Sequence, residues 1–356
     1  MATFREAKIS AIVEARADLV RVRVATPGGE IEACGFPSML GTVEIGDRVI
    51  VNTTGIELGL GTGGVAFLLW NLDGPGGIEG GPGHIMKLRY TPWQMEVATV
   101  EAPESPHHER LADVTTIDPM PVVACGLHSQ VAGVAGGIKA ARPDARVGYL
   151  MTDGAALPLA WSRLARDLKD GGLIDVTCTS GHAFGGDYDA VNVFSGLAAL
   201  RHVGDADVTI VAMGPGIVGT GTALGFTGME QGQILDATTA LNGVAIACLR
   251  ISFADARPRH HGVSHHTLTA LSVAAREACI VAVPALAGEQ AEVVERQLAA
   301  AGIGDRHRLK IVDGGPGVEL LAAKGLAPTS MGRTMDEDPA LWLAAAAAGR
   351  AAVSVA

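Results

Sequence analysis

Short apolar runs with almost no charge alternate with amphipathic stretches from Pro121 to the C-terminus, and this alternation constrains the fold more than any other feature. The runs include PVVACGL, RVGYLMT, VTIVAM, VAIAC and CIVAVP. Strands that are apolar on both faces, each followed by a helix, are typical of a parallel sheet covered on both sides. The pattern predicts an α/β fold: a Rossmann-like domain over residues 120–356, ending in a packed Ala-rich helix.

The N-terminal part of the chain has a different rhythm. Short β-branched runs alternate there with turn signals such as PGGE, and glycine-rich stretches such as LGLGTGG and LDGPGGIEGGPGH interrupt them. Strands at this spacing predict a small antiparallel β-barrel or sandwich over residues 1–90. The polar, Pro-containing segment EAPESPHHERL predicts an interdomain linker over residues 91–119.

Charge and cysteine usage narrow the classes of partner. The net charge of -11 repels phosphate backbones, so nucleic acid is disfavoured, although a small barrel leaves it as a weaker option. Five widely spaced cysteines indicate buried thiols in a reducing compartment. The N-terminus lacks a secretion signal and the apolar C-terminus is too short to span a membrane, so we expect a cytoplasmic protein. The apolar surplus leaves room for a homo-oligomer interface.

Polar side chains follow five successive strands of the predicted sheet. Asp153 follows the second strand, and His182 and Asp187 follow the third. His265 belongs to the His-rich loop after the fifth. Because ligands of open α/β sheets bind beyond the carboxyl ends of the strands, we predict that these four residues supply the acid and base groups of a catalytic site.

A glycine loop follows the fourth strand in the run MGPGIVGTGT. Its spacing resembles that of loops whose backbone N–H groups face a phosphate, and nearby arginines can clamp an anion. The predicted anion- or cofactor-binding residues are Gly214, Gly216, Gly219, Thr220, Gly221, Arg250 and Asp255. The loop does not open a helix at once and has no acidic partner at the spacing of a dinucleotide site, so a tight turn is an equal alternative and the cofactor stays unknown.

Two further patterns bear on mechanism. His182, Asp187, Asp255 and His265 offer a possible ligand set for a metal-dependent hydrolase, although Ser264 also predicts a capped helix in which the histidines are structural. Ser162 lies in WSRLARDL, which predicts a position inside a helix and not on a nucleophile elbow.

Several long segments together resemble one bacterial family. They are NTTGIELGLGTGG, GHIMKLRYTPWQ, YLMTDGAALPLAWSRL, SGHAFGGDYDAVNVFSGL, MGPGIVGTGTALGFTGMEQG, RISFADARPRHHGVSHHTLTAL and TSMGRTMDEDP. In this order they are similar to the "domain of unknown function 3866" family over nearly the whole chain. The resemblance implies a cytoplasmic bacterial protein and carries no activity, cofactor or catalytic residue.

The residues therefore predict an α/β enzyme that acts on a small anionic substrate, phosphorylated or nucleotide-like. Two alternatives stay open: a non-catalytic ligand-binding or scaffold protein, and the metal-dependent hydrolase.

Overall fold

The computed structural model describes residues 2–59, 64–74 and 83–355. The chain divides into two compact units, Met1–Val97 and Ala98–Ala356. Parts of both glycine-rich stretches of the N-terminal unit, residues 60–63 and 75–82, lie outside the described residues.

The segment expected to be a linker, residues 91–119, is divided between the two units. Met95–Val97 is a strand of the first unit. Val100, Leu111 and Ile117 are buried in the core of the second unit. The prolines and charges of this segment predicted a solvated linker, but its spaced apolar side chains bury against the α/β core.

The first unit contains a closed barrel, which confirms the predicted small barrel and excludes a sandwich. Its strands are β1 (Phe4–Ala15), β2 (Val20–Thr26), β3 (Gly29–Gly35), β4 (Arg48–Asn52) and β5 (Ala66–Asn71), with short helices α1 (Pro37–Leu40) and α2 (Thr54–Glu57). The order within the described residues is β1-β2-β3-β5-β4, and β4 pairs back with β1. The β3–β5 pairing is parallel and the others are antiparallel, which is the topology of an OB-fold. A hairpin of β6 (Ile85–Lys87) and β7 (Met95–Val97) follows.

Alternation along the strands builds the barrel core. On β2, Val20, Val22 and Val24 are buried and face Ala7, Ile9 and the other members of one apolar cluster. Arg21 and Arg23, between these valines, pair with glutamates of the neighbouring strands. The period of two in the sequence thus becomes an apolar interior and a charged exterior.

The second unit is built on a parallel sheet, as predicted. Its strands are β8 (Pro121–Ala124), β9 (Val147–Thr152), β10 (Val176–Thr179), β11 (Tyr188–Asp189), β12 (Val208–Met213), β13 (Val244–Cys248), β16 (Ile280–Pro284) and β17 (Arg308–Val312). In the described chain they follow the order β11-β10-β9-β12-β8-β13-β16-β17, with every pairing parallel. The short strands β14 (Ile251–Ser252) and β15 (Gly262–Val263) form a separate hairpin.

Helices cover both faces of this sheet. They are α3 (His108–Leu111), α4 (Gln130–Ala141), α5 (Arg163–Asp170), α6 (Val193–His202), α7 (Glu230–Ala240), α8 (His265–Thr269), α9 (Gly288–Ala300), α10 (Ile303–Arg306), α11 (Gly315–Ala323) and α12 (Pro339–Val353). Helices α4, α5 and α11 share one apolar cluster with most of α12, and α6, α7 and α9 share the other. Alternate residues of β8 belong to the two clusters, Val122 to one and Val123 to the other.

The strand order opens crevices at the carboxyl edge of the sheet. β12 lies between β9 and β8. The helix after β8, α4, packs on one face, whereas the helix after β12, α7, packs on the other. Neighbouring strands whose helices leave to opposite faces form a crevice at their carboxyl ends, where ligands of such folds bind.

The C-terminal helix packs closely against α4. Gly349 of α12 lies so near α4 that a Cβ built on it would overlap the carbonyl oxygen of Val134. This packing confirms the prediction of a packed terminal helix. Within the described residues, no helix is both long and apolar enough to cross a membrane.

Candidate functional site

The predicted residues at the carboxyl edge of the sheet divide into two groups. Asp153 and His182 follow β9 and β10, whereas Arg250, Asp255 and His265 follow β13. β12 and β8 lie between β9 and β13, so these two strand ends are about 14 Å apart at the usual strand spacing. The sheet therefore does not assemble the predicted set as one compact site.

The β13 end carries a group that we call the histidine–arginine cluster: His260, His265, His266, Arg250 and Arg259. The ring centroids are 5.1 Å apart for His260 and His265, 4.9 Å for His260 and His266, and 4.4 Å for His265 and His266. His265 and His266 are close because they open helix α8, while His260 ends the preceding 3-10 turn.

Ser264 organises this cluster and confirms the predicted helix cap. Its Oγ accepts a hydrogen bond from the backbone N–H of His266 at 3.3 Å, and it lies 2.7 Å from Nδ1 of His260. A ring nitrogen fixed in this way sets the orientation of the imidazole, and the other nitrogen is left to face a partner.

The surroundings keep the three imidazoles neutral. Burial, with Arg250 adding to it, lowers the pKa of His260 to about 4 and that of His266 to about 3. Burial and then Arg259 lower the pKa of His265 as well. Nε2 of His265 is buried and has no hydrogen-bond partner among the described residues. The cluster thus presents neutral rings, one of them with an unsatisfied nitrogen.

Asp255, which was predicted to bind an anion or cofactor, is engaged with arginines of this chain. Arg257 donates two hydrogen bonds to its carboxylate, at 2.9 and 2.7 Å. Arg333 and Arg250 approach the same carboxylate at 3.6 and 3.9 Å. The hydrogen bonds from Arg257 hold the pKa of Asp255 well below its ordinary value, although burial opposes ionisation. Asp255 therefore positions the arginines.

The guanidinium groups outnumber the carboxylates of this network. Arg333 also contacts Asp338 at 3.1 Å, so the described network holds Arg250, Arg257 and Arg333 against two carboxylates. Arg250 is 4% exposed, and burial lowers its pKa to about 10. Arg259 of the cluster adds a further positive charge beside His260. An anion approaching the cluster meets a positive surface.

The predicted glycine loop contacts this cluster as a tight turn. The backbone N–H of Thr220 donates a hydrogen bond to the Gly225 carbonyl at 2.9 Å, and Gly219 forms an isolated antiparallel β-bridge with Phe226. Phe226 stacks on His266 with centroids 3.9 Å apart and planes 2° apart. A Cβ on Gly219 would lie 3.4 Å from the His266 ring, and a Cβ on Gly221 would lie 3.6 Å from Arg259. Two predicted loops thus meet here.

The geometry of this loop differs from that of a phosphate loop at a helix N-terminus. Helix α7 begins only at Glu230, so the glycines do not lie in its first turn. The Thr220 hydroxyl bonds to the Gly225 carbonyl within the turn, at 3.0 Å. Gly214 packs against the Ala156 carbonyl, where a side chain would clash.

The remaining predicted catalytic residues lie elsewhere. Asp187 contacts Lys169 at 2.6 Å and accepts hydrogen bonds from the N–H and hydroxyl of Thr177, both at 2.9 Å. These bonds hold it beside the first half of β10, away from the carboxyl edge. Asp153 accepts a hydrogen bond from the backbone N–H of His182 at 2.9 Å. Asp153 and His182 therefore belong together, without Asp187.

Glu230 is an acid–base candidate that the sequence reasoning missed. It begins α7, and its carboxyl accepts hydrogen bonds from the Thr152 hydroxyl at 2.8 and 3.0 Å. Burial raises its pKa to about 7, and the charge of Asp153 contributes in the same direction. A strongly shifted carboxyl at a strand end is typical of catalytic sites. In sequence, a glutamate in the first turn of a helix reads only as a dipole partner.

A cavity of about 500 Å³ opens beside the start of α4. Its lining residues are Leu127, His128, Ser129, Arg163, Leu164, Asp167, Pro215, Gly216, Ile217, Ala327, Pro328, Thr329, Ser330 and Met331. The predicted Gly216 thus lines a cavity and adopts a φ of +110°, which favours glycine. The charged side chains of Arg163 and Asp167 are exposed at this cavity.

His128 and Ser162 form a hydrogen-bonded pair next to this cavity, with Nε2 and Oγ 2.6 Å apart. Ser162 is the N-cap of α5, not an internal helical residue, so the prediction of its position was wrong. The 3-10 turn Leu159–Trp161 precedes it, because Pro158 leads the chain into the turn. Ser162 is 3% exposed and caps Ala165, while burial lowers the pKa of His128 to about 4. Ser162 is thus buried in its capping contact, whereas His128 is partly exposed and lines the cavity.

Three histidines offer a possible metal site. One ligating nitrogen from each of His260, His265 and His266 lies within 4.8 Å of the other two. The ligand set predicted from the sequence is not assembled, because Asp187 and Asp255 bind lysine and arginine side chains. Of that set, His265 alone belongs to the cluster.

Comparison with known proteins identifies a family for this chain but no activity. A search of curated proteins finds no match. The family model described as "Protein of unknown function (DUF3866)" matches residues 32–349 of 356, which includes β4, β5 and the end of β3 in the barrel and all of the parallel sheet. The chain therefore belongs to the DUF3866 family.

Proposed function

We propose that this protein is an α/β enzyme that acts on a small anionic substrate, and that the histidine–arginine cluster binds the anionic group. The observation that carries this proposal is the surplus of positive charge. Arg250, Arg257 and Arg333 face the two carboxylates of Asp255 and Asp338, and Arg259 adds a further positive charge at the surface of the cluster.

The buried arginine favours an anion at this position. Arg250 is almost fully buried, and its Nη1 lies 3.4 Å from Nδ1 of His266 while Asp255 is 3.9 Å away. A buried charge with incomplete pairing is costly, so an anion that reaches the cluster is stabilised. Planar guanidinium groups suit the oxygens of a phosphate or a carboxylate.

The imidazoles supply the chemistry that a binding site alone lacks. His265 and His266 are partly exposed beside the positive charges, so a bound substrate can reach them. A neutral imidazole accepts a proton from a substrate at one nitrogen and donates a hydrogen bond from the other. Anion binding by arginines and proton transfer by histidines together support an enzyme.

The cavity beside α4 favours a second candidate, the non-catalytic ligand-binding protein. It has the volume for a small molecule and the exposed guanidinium of Arg163 in its wall. Both nitrogens of His128 are already engaged, with Ser162 and with the Met213 carbonyl. A ligand in this cavity would therefore meet the charges of Arg163 and Asp167, but not a histidine nitrogen free to transfer a proton.

Thermal shift with inorganic phosphate, pyrophosphate and a dicarboxylate tests the anion site. At about 100 times its Kd, a ligand stabilises by about 2.7 kcal/mol, which raises Tm by about 5–10 °C in a domain of this size. We expect this rise in the wild type and in the control Arg296→Gln, an exposed arginine of α9. It should fall below about 2 °C in Arg259→Gln. No shift with any of these anions would refute the proposal.

Turnover separates the two candidates. A panel of phosphate monoesters, diesters and carboxylate esters is offered to the wild type and to His265→Ala, with folding checked by circular dichroism. Loss of turnover in folded His265→Ala supports the enzyme. Anion binding without turnover, retained in Arg259→Gln and lost in Arg163→Gln, supports the ligand-binding protein.

A further inference from the structure

We propose that His260, His265 and His266 bind one divalent transition-metal ion of the zinc type, whose fourth ligand is a water molecule or the anionic group of the substrate. This inference rests on the proposed function, because it concerns the same cluster and assigns the anion a second partner.

The positions of the three rings suit one ion. Ligating nitrogens of the three histidines lie within 4.8 Å of one another, and the closest rings have centroids 4.4 Å apart. Zinc–nitrogen bonds of about 2.0–2.1 Å in a tetrahedral site place the nitrogens about 3.4 Å apart. The widest pair must therefore approach by at most about 1.4 Å, and rotation of the partly exposed His265 ring, whose Nε2 has no hydrogen-bond partner among the described residues, provides this movement.

The hydrogen bonding of the cluster leaves a nitrogen without a partner. Nε2 of His265 is buried and unsatisfied in the described structure, and a buried polar atom without a partner is destabilising. Nδ1 of His260 is held by Ser264, and the His266 ring is held by stacking on Phe226. Such supporting contacts are typical of histidines that bind metals, because they fix the ring before the ion arrives.

The arginines decide what completes the site. Arg259 Nε donates to Nε2 of His260 at 3.4 Å, and Arg250 Nη1 lies 3.4 Å from Nδ1 of His266, so these guanidinium groups compete with a bare cation for the nitrogens and repel it. An anionic fourth ligand removes this repulsion, because it binds the ion and the guanidinium groups together. Metal and anion should therefore bind cooperatively, each raising the affinity of the other by the same factor. Three imidazoles with one exchangeable position are typical of catalytic zinc sites.

The test uses the full chain without a histidine tag, stripped with a chelator and titrated with Zn²⁺ and Co²⁺. We expect one ion per chain, a Co²⁺ visible spectrum typical of tetrahedral coordination, and tighter binding when inorganic phosphate is present. His265→Ala and His266→Ala should each weaken binding by at least about 100-fold. His202→Ala removes a histidine of α6 that binds the Thr116 carbonyl, and it should leave the affinity unchanged.

Three results would overturn the inference: no stoichiometric binding, an octahedral Co²⁺ spectrum, or unchanged affinity in both folded cluster variants. If either variant fails to fold, the test relies on the Co²⁺ spectrum of the wild type and on the metal affinity of His265→Gln. The two proposals fail separately. If the chelator-stripped protein still binds anions and turns over substrate, the metal proposal is refuted and the proposed function stands. If the protein binds the metal but no anion changes its Tm or its metal affinity, the anion site of the proposed function is refuted.

Discussion

Glu230→Gln should stabilise the protein at neutral and alkaline pH and have little effect in acid. The carboxyl of Glu230 is largely buried, with the Thr152 hydroxyl as donor and Asp153 as a nearby negative charge. Burial raises its pKa from 4.5 to about 7, so the folded chain prefers the protonated form. A glutamine has the same shape and carries no charge at any pH.

The magnitude follows from linkage. In the unfolded chain this carboxyl ionises near pH 4.5, and in the folded chain near pH 7, so between these values the folded state binds more protons. The contribution of the protonated Glu230 carboxyl to the free energy of unfolding is therefore fully present below pH 4.5, and it is lost as the pH rises through 7. The difference between the two pKa values corresponds to about 3 kcal/mol of unfolding free energy. The wild type loses this free energy as the pH rises, and Glu230→Gln does not.

Urea denaturation at pH 4.5, 6 and 8, followed by far-ultraviolet circular dichroism, measures this difference. The free energy of unfolding of Glu230→Gln should exceed that of the wild type by about 2–3 kcal/mol at pH 8 and by less than about 0.5 kcal/mol at pH 4.5. Glu319→Gln changes an exposed glutamate of α11 and serves as the control. A difference that stays constant with pH, or grows toward acid, would refute the reasoning.

Three other variants test the packing and the carboxyl edge. Gly349→Ala should lower the free energy of unfolding by about 2 kcal/mol in urea, although alanine favours helices, because its Cβ overlaps a carbonyl of α4; a gain would contradict this. Ser162→Ala should cost about 2 kcal/mol in the same assay, since it removes the α5 cap and the contact with His128, and an unchanged midpoint would count against it. Asp153→Asn should lower the pKa of Glu230, so carboxyl titration by NMR should move toward acid, and a move toward alkali would be inconsistent.

The physical chemistry of short segments made much of the fold predictable. Apolar runs such as PVVACGL have no polar face, so only a sheet covered on both sides can bury them. Alternating valines at Val20, Val22 and Val24 require a surface with one buried face, which the barrel provides. Ser264 predicted its helix because a serine cap acts through neighbouring backbone atoms. The cysteines were predicted as buried thiols and are buried.

Contacts between distant segments decided the site, and no local pattern contains them. The insertion of β12 between β9 and β8 separated Asp153 from Arg250, although both follow strands in the same manner. Asp187 and Asp255 looked available in sequence, but Lys169 and Arg257 neutralise them.

Local sequence by itself predicted most strands and helices of the two units, and it placed polar groups at the strand ends. Tertiary structure alone decided which of those groups meet. It brought the turn at Gly219 against His266, and it buried Glu230 beside Asp153 so that its pKa rose to about 7. The reason is that hydrogen bonding and propensity act over a few residues, whereas burial, charge pairing and pKa depend on neighbours that are remote in the chain.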